Sequence, residues 1–185
     1  MDYELIRSAR RTIGAEIKNG RLVVRAPCLA TRGAVERFLA DNRSRLESLL
    51  DKAREREEKK AAVPKLTAEE IRALAAEARK VIPARCAYFA PLVGVTYGRV
   101  TIRTQRSRWG SCSAKGNLNF NCLLMKAPPE VLDGVVVHEL CHLREMNHSA
   151  RFYAEVTRVL PDYKRRRKWL KDNGDLLMAM LENGG

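Results

Sequence analysis

The sequence has little histidine, no long apolar run and no paired cysteine motif. Its three histidines, His138, His142 and His148, fall within eleven positions of a 185-residue chain. No stretch of about 18 or more apolar residues is present, which argues against a membrane-spanning helix. The N-terminus also lacks the apolar core of a signal peptide. We therefore expect a cytoplasmic protein with no membrane partner.

The five cysteines are scattered along the chain and never form a C-x-x-C pair. An odd number of cysteines without that spacing argues against a disulfide framework and against a cysteine-based zinc knuckle. We expect reduced and mostly packed thiols, with a redox or metal role as the alternative.

The chain is strongly basic, with 35 Lys and Arg against 22 Asp and Glu and a net charge of +13. Two segments concentrate the positive charge: 97–126 contains no acidic residue, and 158–171 contains the run KRRRK at 164–168. Such segments are often merely solvated, but they permit electrostatic binding to nucleic acid. Nucleic acid is therefore a candidate partner through both segments.

The N-terminal part, residues 1–66, is predicted to be a β-hairpin followed by helices. Residues 13–17 alternate in polarity, and Asn19-Gly20 supplies a type I′ turn before the next strand. Residues 31–60 switch to helical spacing and lead into a linker at AAVPK.

The remaining part, residues 67–185, mixes helices and strands. Thr67 begins a helix through a capping box and the helix should end near Pro83. Strands are predicted at 97–104 and 117–121, with a loop between them. Helices are predicted from 128 to about 145 and over 149–160. This order predicts an α+β fold.

His138 and His142 are four residues apart, so both project from one face of the predicted helix. Two imidazoles at this spacing can bind one ion, and Glu139 lies about 100° round the helix, near the ion without needing to bind it. In this H-E-x-x-H arrangement the glutamate takes a proton from a metal-activated water. The apolar flanks predict a buried helix, in which these polar groups need partners.

His148 tests the metal hypothesis. On a continuous helix it would lie about 9 Å beyond His142, too far to reach the same ion. The helix must therefore break between about Arg144 and Asn147, where Asn and Ser favour a turn. A reversal there would complete a three-histidine site and leave a fourth position for water. The alternative is that the histidines simply form hydrogen bonds in the core.

Residues 108–152 closely resemble the YgjP-like metallopeptidase family, whose relatives are the SprT-like zincins. The resemblance is carried by R-W-G-S-C-S, an N-x-N strand, a P-P-E helix start, H-E-L-x-H and N-H-S-x-x-F. It implies a zincin-like metallopeptidase domain that holds one Zn²⁺ per chain. The implied ligands are His138, His142 and His148, and the implied general base is Glu139.

The same resemblance suggests that the strand around Asn117, Leu118 and Asn119 binds substrate backbone by strand addition. Trp109 and Arg108 are further candidates for substrate contact, although Trp109 is more simply a packing residue. Gly134 departs from the family pattern, and either opens space beside His138 or eases helix packing. Candidates for stabilising the oxyanion are Tyr153, Tyr163, Arg106 and Arg108.

The predicted function is zinc-dependent hydrolysis of peptide bonds, with a protein or peptide as substrate. Two alternatives remain: a basic nucleic-acid-binding protein with a structural zinc, or a protease that acts on DNA-associated proteins. A structural site would need a fourth protein ligand, for which Cys112 or Cys122 would have to be recruited. It would also have no use for Glu139.

Overall fold

The computed structural model describes residues 2–18 and 20–181, which form two compact units, Met1–Ala62 and Val63–Gly185. Residues 65 and 66 hydrogen-bond near the C-terminal end of the second unit: Lys65 Nζ donates to the Ala179 carbonyl and Leu66 N–H to the Met180 carbonyl. Residues 65 and 66 are therefore attached to the second unit.

The first unit contains a three-stranded sheet and two helices. Its strands are β1 (Tyr3–Ser8), β2 (Gly14–Lys18) and β3 (Arg21–Pro27), and β3 lies in the middle. The hairpin of β2 and β3 is confirmed as antiparallel, whereas β1 runs parallel to β3. Gly20 in its turn has a φ of 71°, a value that favours glycine, and Asn19 lies outside the described residues.

The predicted helical region over 31–60 forms two helices, α1 (Arg32–Asp41) and α2 (Arg43–Ala62). The interruption falls at Asn42, whose side-chain amide donates to the Phe38 carbonyl over 2.8 Å. A short amide side chain that bonds to the backbone competes with helix continuation. Val35, Leu46 and Leu50 from these helices pack with the sheet residues Leu22, Val24 and Ala26.

The second unit combines four helices with a second small sheet. Its helices are α3 (Ala68–Val93), α4 (Pro129–Cys141), α5 (Ala150–Val159) and α6 (Tyr163–Ala179), and a 3₁₀ helix spans Cys122–Lys126. Its strands are β4 (Val100–Arg103), β5 (Gly110–Cys112) and β6 (Leu118–Asn121). The two units together confirm a mixed α+β fold.

Helix α3 begins as predicted but does not end at Pro83. Thr67 and Glu70 form the capping box, in which the Thr67 hydroxyl accepts from the Glu70 N–H and the Glu70 carboxylate accepts from the Thr67 N–H. The helix then continues through Pro83 and Pro91 to Val93. A proline inside a helix costs about 3 kcal/mol. Burial of the second half of α3 offsets this cost, since Ile82, Cys86, Phe89, Ala90 and Val93 are all core residues.

The second sheet has the order β4-β6-β5, with β6 parallel to β4 and antiparallel to β5. Residues 110–112 were predicted as a loop, and that prediction is wrong because they pair with β6 as a strand. The prediction of strand addition to residues 117–119 is also wrong. Strand β6 has neighbours on both sides, so it has no free edge to offer a peptide.

Helix α4 is the buried centre of the second unit. Val131, Val136, Val137 and Leu140 are almost completely excluded from solvent. The helix starts with Pro129 at its first turn as predicted, and it ends at Cys141, before the predicted end near 145. No helix in the described part of the chain is both long enough and apolar enough to cross a bilayer.

Candidate metal centre

Helix α4 brings His138, Glu139 and His142 to one end of its last turn. His138 lies in this turn and His142 caps the helix. The rings of His138 and His142 lie edge to face with their centroids 4.8 Å apart. The i, i+4 spacing therefore places both imidazoles on one face, as the sequence predicts.

The chain reverses directly after α4, as the position of His148 requires. The Glu145 N–H still bonds to the Cys141 carbonyl, but Ser149 then begins α5, with its hydroxyl accepting from the Phe152 N–H over 3.2 Å. This reversal brings the His148 ring to 4.9 Å from the His138 ring and 4.7 Å from the His142 ring.

The three histidines form a donor set for one divalent ion. One ring nitrogen from each lies within 4.8 Å of the others, and Nε2 of His148 is 3.0 Å from Nε2 of His138. Nitrogens that bind one tetrahedral ion at about 2.05 Å are separated by roughly 3.3 Å, so these side chains fit such an ion with small adjustments. This cluster could hold one divalent metal ion through three histidines.

Two of the ligand rings are oriented by hydrogen bonds from their other nitrogen. Nδ1 of His138 lies 2.7 Å from the Tyr163 hydroxyl, and Nδ1 of His142 lies 3.2 Å from the Glu145 carbonyl. A carbonyl only accepts, so Nδ1 of His142 carries the proton and its Nε2 lone pair is free. Such outer contacts fix the tautomer and the direction of a ligating imidazole.

Phe152 packs against all three imidazoles. Its ring centroid lies 4.8 Å from that of His138, 4.6 Å from that of His142 and 4.9 Å from that of His148. The side chain is completely buried on α5, so its position is fixed by the core. It limits how far the three rings can move apart.

The surroundings keep His138 neutral. Burial lowers its pKa to about 3, and the neighbouring His142, His148 and Arg167 act in the same direction. Burial also lowers the pKa of His142, although its hydrogen bond to the Glu145 carbonyl opposes this. A metal ion competes with protons for an imidazole, so neutral rings are ready to bind one.

Glu139 is buried beside β5, with only 6% of its surface exposed. Burial raises its pKa to about 8, and the Arg108 guanidinium opposes this rise. Its carboxyl group lies so close to Gly110 that a Cβ at that position would be 2.6 Å from Oε1 and 2.9 Å from Cδ. Glycine at 110 therefore makes room for the carboxyl group of Glu139.

The predicted substrate-contact residues have different surroundings in the structure. Leu118 is fully buried. Asn117 accepts a hydrogen bond from the Arg99 N–H, and Asn119 donates to the Ser111 hydroxyl. Trp109 packs on α6, where a Cβ on Gly174 would be 3.1 Å from its ring, and Arg108 is exposed near Glu139. Substrate contacts by these side chains stay predictions.

The hydroxyl of Tyr163, suggested as an oxyanion donor, lies on Nδ1 of His138 instead. It therefore orients this ring, and burial raises the pKa of its hydroxyl. Tyr153 stacks beside His148 with ring centroids 6.2 Å apart. At Gly134, the side chain of Arg166 crosses the helix, 3.2 Å from where a Cβ would lie, which fits the helix-packing interpretation.

Cysteine does not contribute to this donor set. The cluster in the described residues contains the three histidines without Cys112 or Cys122. Cys122 is buried within hydrogen-bonding distance of Thr104, and Cys112 donates to the Ser113 carbonyl. A structural zinc site with a fourth cysteine ligand therefore has no support.

Several cations of the basic segment 158–171 already have acidic partners. Arg158 pairs with Glu155, both Arg165 and Arg166 pair with Asp162, and Lys168 pairs with Asp172. Their charge is thus partly neutralised within the protein. Neither this arrangement nor the metal site supports a nucleic-acid partner.

An α+β unit in which a buried H-E-x-x-H helix meets a third histidine from the following turn has the site of a metallopeptidase. The chain belongs to the YgjP-like family: the model of the YgjP-like metallopeptidase domain matches residues 60–173. The match covers most of the second unit and confirms the resemblance found in the sequence.

Two solved structures are similar to part of the chain. The metallopeptidase zymogen abylysin of Pyrococcus abyssi is 21% identical, with a TM-score of 0.45 over 50% of this chain and 94% of its own. The metallopeptidase zymogen jannalysin of Methanocaldococcus jannaschii is 17% identical, with a TM-score of 0.45 over 51% of this chain and 97% of its own. No curated protein matches the chain in sequence.

Proposed function

We propose that this protein is a zinc-dependent peptidase in which Glu139 is the general base. The observation that carries the proposal is the position of this carboxyl group. Glu139 directly follows His138 in the chain, and its side chain is buried against Gly110. It does not belong to the three-histidine donor set. A glutamate with this placement is explained by proton transfer rather than by metal binding.

His138, His142 and His148 would hold the ion through one nitrogen each. A zinc ion in this position would polarise the scissile carbonyl and acidify a nearby water. Glu139 takes the proton of the attacking water and passes it to the leaving amine. Tyr163 and the Glu145 carbonyl hold the His138 and His142 rings in position for binding.

Strand β5 offers a place for the substrate backbone. The Trp109 carbonyl accepts from the Asn121 N–H, and the Ser113 N–H donates to the Asn117 carbonyl. The backbone polar groups of Trp109 and Ser113 therefore point towards β6. Bonding direction alternates along a strand, which turns the N–H and C=O groups of Gly110 and Cys112 to the other side. No strand in the described residues pairs with that side. An extended peptide could add there, next to Glu139.

The test compares Glu139→Gln with wild type and with the control Glu77→Gln, which alters an exposed residue on α3. Each protein is loaded with zinc, analysed for metal and incubated with a peptide library. We expect Glu139→Gln to keep its zinc and lose at least about 100-fold in rate, because the base is removed and the ligands remain. Unchanged turnover in this variant would refute the assignment.

A further inference from the structure

A cavity of about 210 Å³ lies directly beside the proposed reacting groups. His138 and Glu139 form one part of its wall, and Gly110 of the free strand edge forms another. A substrate side chain that enters this cavity therefore belongs to a residue close to the bond that is cleaved. The cavity is therefore a candidate specificity pocket, which would select the substrate residue near the cleaved bond.

Most of the cavity wall is apolar. Val131 and Val135 come from α4, Leu170 comes from α6, and Trp109 precedes β5. Hydrocarbon portions of a substrate can pack here, since burying apolar surface is favourable.

Two arginines of α6 complete the wall, and the first already donates two hydrogen bonds within the protein. Nε of Arg166 donates to Asp162 over 2.7 Å, and Nη1 donates to the Glu130 carbonyl over 2.7 Å. Its carbon chain lies across Gly134. Arg166 is therefore held in place as part of the wall, with its charge paired to Asp162.

The second arginine, Arg167, has no carboxylate partner among the described residues. Its guanidinium lies over the Tyr153 ring, 5.6 Å from the centroid. It is exposed and lines the cavity. The neighbouring Arg165, Arg166 and Lys168 are all paired with acids, which makes Arg167 the cation that the fold leaves available at this cavity.

We propose that the cavity receives a substrate carboxylate, which Arg167 binds while the attached carbon chain packs on the apolar wall. A guanidinium matches a carboxylate in geometry and charge. The carboxylate can belong to an acidic side chain next to the scissile bond or to the C-terminus of the substrate. The inference rests on the proposed peptidase function and names the chemistry that this site selects.

The first measurement uses two sets of peptides. In one set, Glu, Gln, Leu or Lys occupies each position that flanks the scissile bond. In the other, the same peptide ends in a free acid or an amide. Wild type is expected to favour Glu over Gln, or the acid over the amide, by roughly tenfold in kcat/KM. The set that shows the preference identifies the source of the carboxylate.

Variants of Arg167 test whether this residue causes the preference for a carboxylate. Arg167→Ala should bring the kcat/KM ratio of carboxylate over neutral peptide close to 1, and Arg167→Lys should keep part of the preference. Arg167→Glu should instead prefer peptides with Lys at the same position. The matched control is Arg79→Ala, an exposed arginine on α3 that does not line the cavity. Its preference should equal that of wild type. Each variant is first checked for the same metal content as wild type.

Binding gives a readout that does not depend on hydrolysis. Zinc-loaded Glu139→Gln should bind the preferred carboxylate peptide roughly tenfold more tightly than its neutral partner, and adding Arg167→Ala should remove this difference. Equal binding and cleavage of charged and neutral peptides would overturn the inference, as would a preference that survives in Arg167→Ala. Absence of any hydrolysis by wild type would instead contradict the proposed peptidase function.

Discussion

The metal site depends on the residues that supply the donor atoms and on the residues that hold those donors in place. The three histidines supply the donors, and Tyr163, Phe152 and Gly110 determine where the histidines and Glu139 are held. The donors and Glu139 could be predicted from the sequence, because their spacing lies within one helix and the following turn. The roles of Tyr163 and Gly110 could not, since their contacts with His138 and Glu139 join segments that are distant in the chain.

Tyr163→Phe is expected to weaken metal binding. The variant removes the hydroxyl that lies 2.7 Å from Nδ1 of His138 and leaves the buried ring in place. Loss of such a partner typically lowers metal affinity roughly 10- to 100-fold. Competition with a chromogenic chelator measures the affinity.

The control for this variant is Tyr88→Phe, which removes a hydroxyl from an exposed tyrosine on α3. It should bind metal like wild type. Equal affinities in Tyr163→Phe and wild type would show that the hydroxyl does not orient His138.

Gly110→Ala is expected to displace Glu139. The added Cβ would lie 2.6 Å from Oε1 and 2.7 Å from Cγ of Glu139, so the carboxyl group or β5 must shift. A displacement of about 1 Å in a catalytic group can cost about 100-fold in rate. Steady-state hydrolysis measures this loss, and metal content should be retained.

Gly33→Ala is the matched control, because a Cβ at Gly33 meets nothing within 4 Å. This variant adds the same methyl group where it contacts no other atom, so activity should be unchanged. Full activity in Gly110→Ala would contradict the close packing of Gly110 on Glu139.

At the scale of elements, packing overrides local sequence preference in two places. Helix α3 passes through Pro83 because its second half is buried, and β5 forms from Gly-Ser-Cys because β6 pairs with it. Both were missed for the same reason: proline is a reliable local breaker and these three residues carry little strand preference. Tertiary contacts decide both outcomes.

Pro83→Ala is expected to stabilise the protein. Alanine restores the missing N–H inside α3 and removes a cost of about 3 kcal/mol, offset by up to about 1 kcal/mol through a more flexible unfolded chain. Relaxation of the neighbouring helix reduces the gain further, so we expect an increase of about 1 kcal/mol in the free energy of unfolding. Urea denaturation provides the measurement.

Pro64→Ala serves as the comparison, since Pro64 lies outside the helices. It should leave stability unchanged or lower it slightly. A loss of stability in Pro83→Ala would mean that α3 depends on the proline ring at this position.

At the scale of the whole molecule, the site joins several elements of the second unit. Helix α4 and the turn after it supply the ligands, α5 supplies Phe152 and α6 supplies Tyr163. A metal ion bound only by the folded chain should therefore raise stability, by about 4 kcal/mol at a free concentration 1,000 times its Kd. The mixed α+β class was predictable from the order of elements along the chain.

The most direct test of the central claim is the metal content of the purified protein and of His148→Ala. His148 is exposed, so its replacement should leave the fold intact while removing one of three ligands. After equilibration with zinc and removal of the excess, wild type should retain one ion per chain and His148→Ala markedly less. A folded wild type without bound metal, or a variant that retains as much as wild type, would contradict the account.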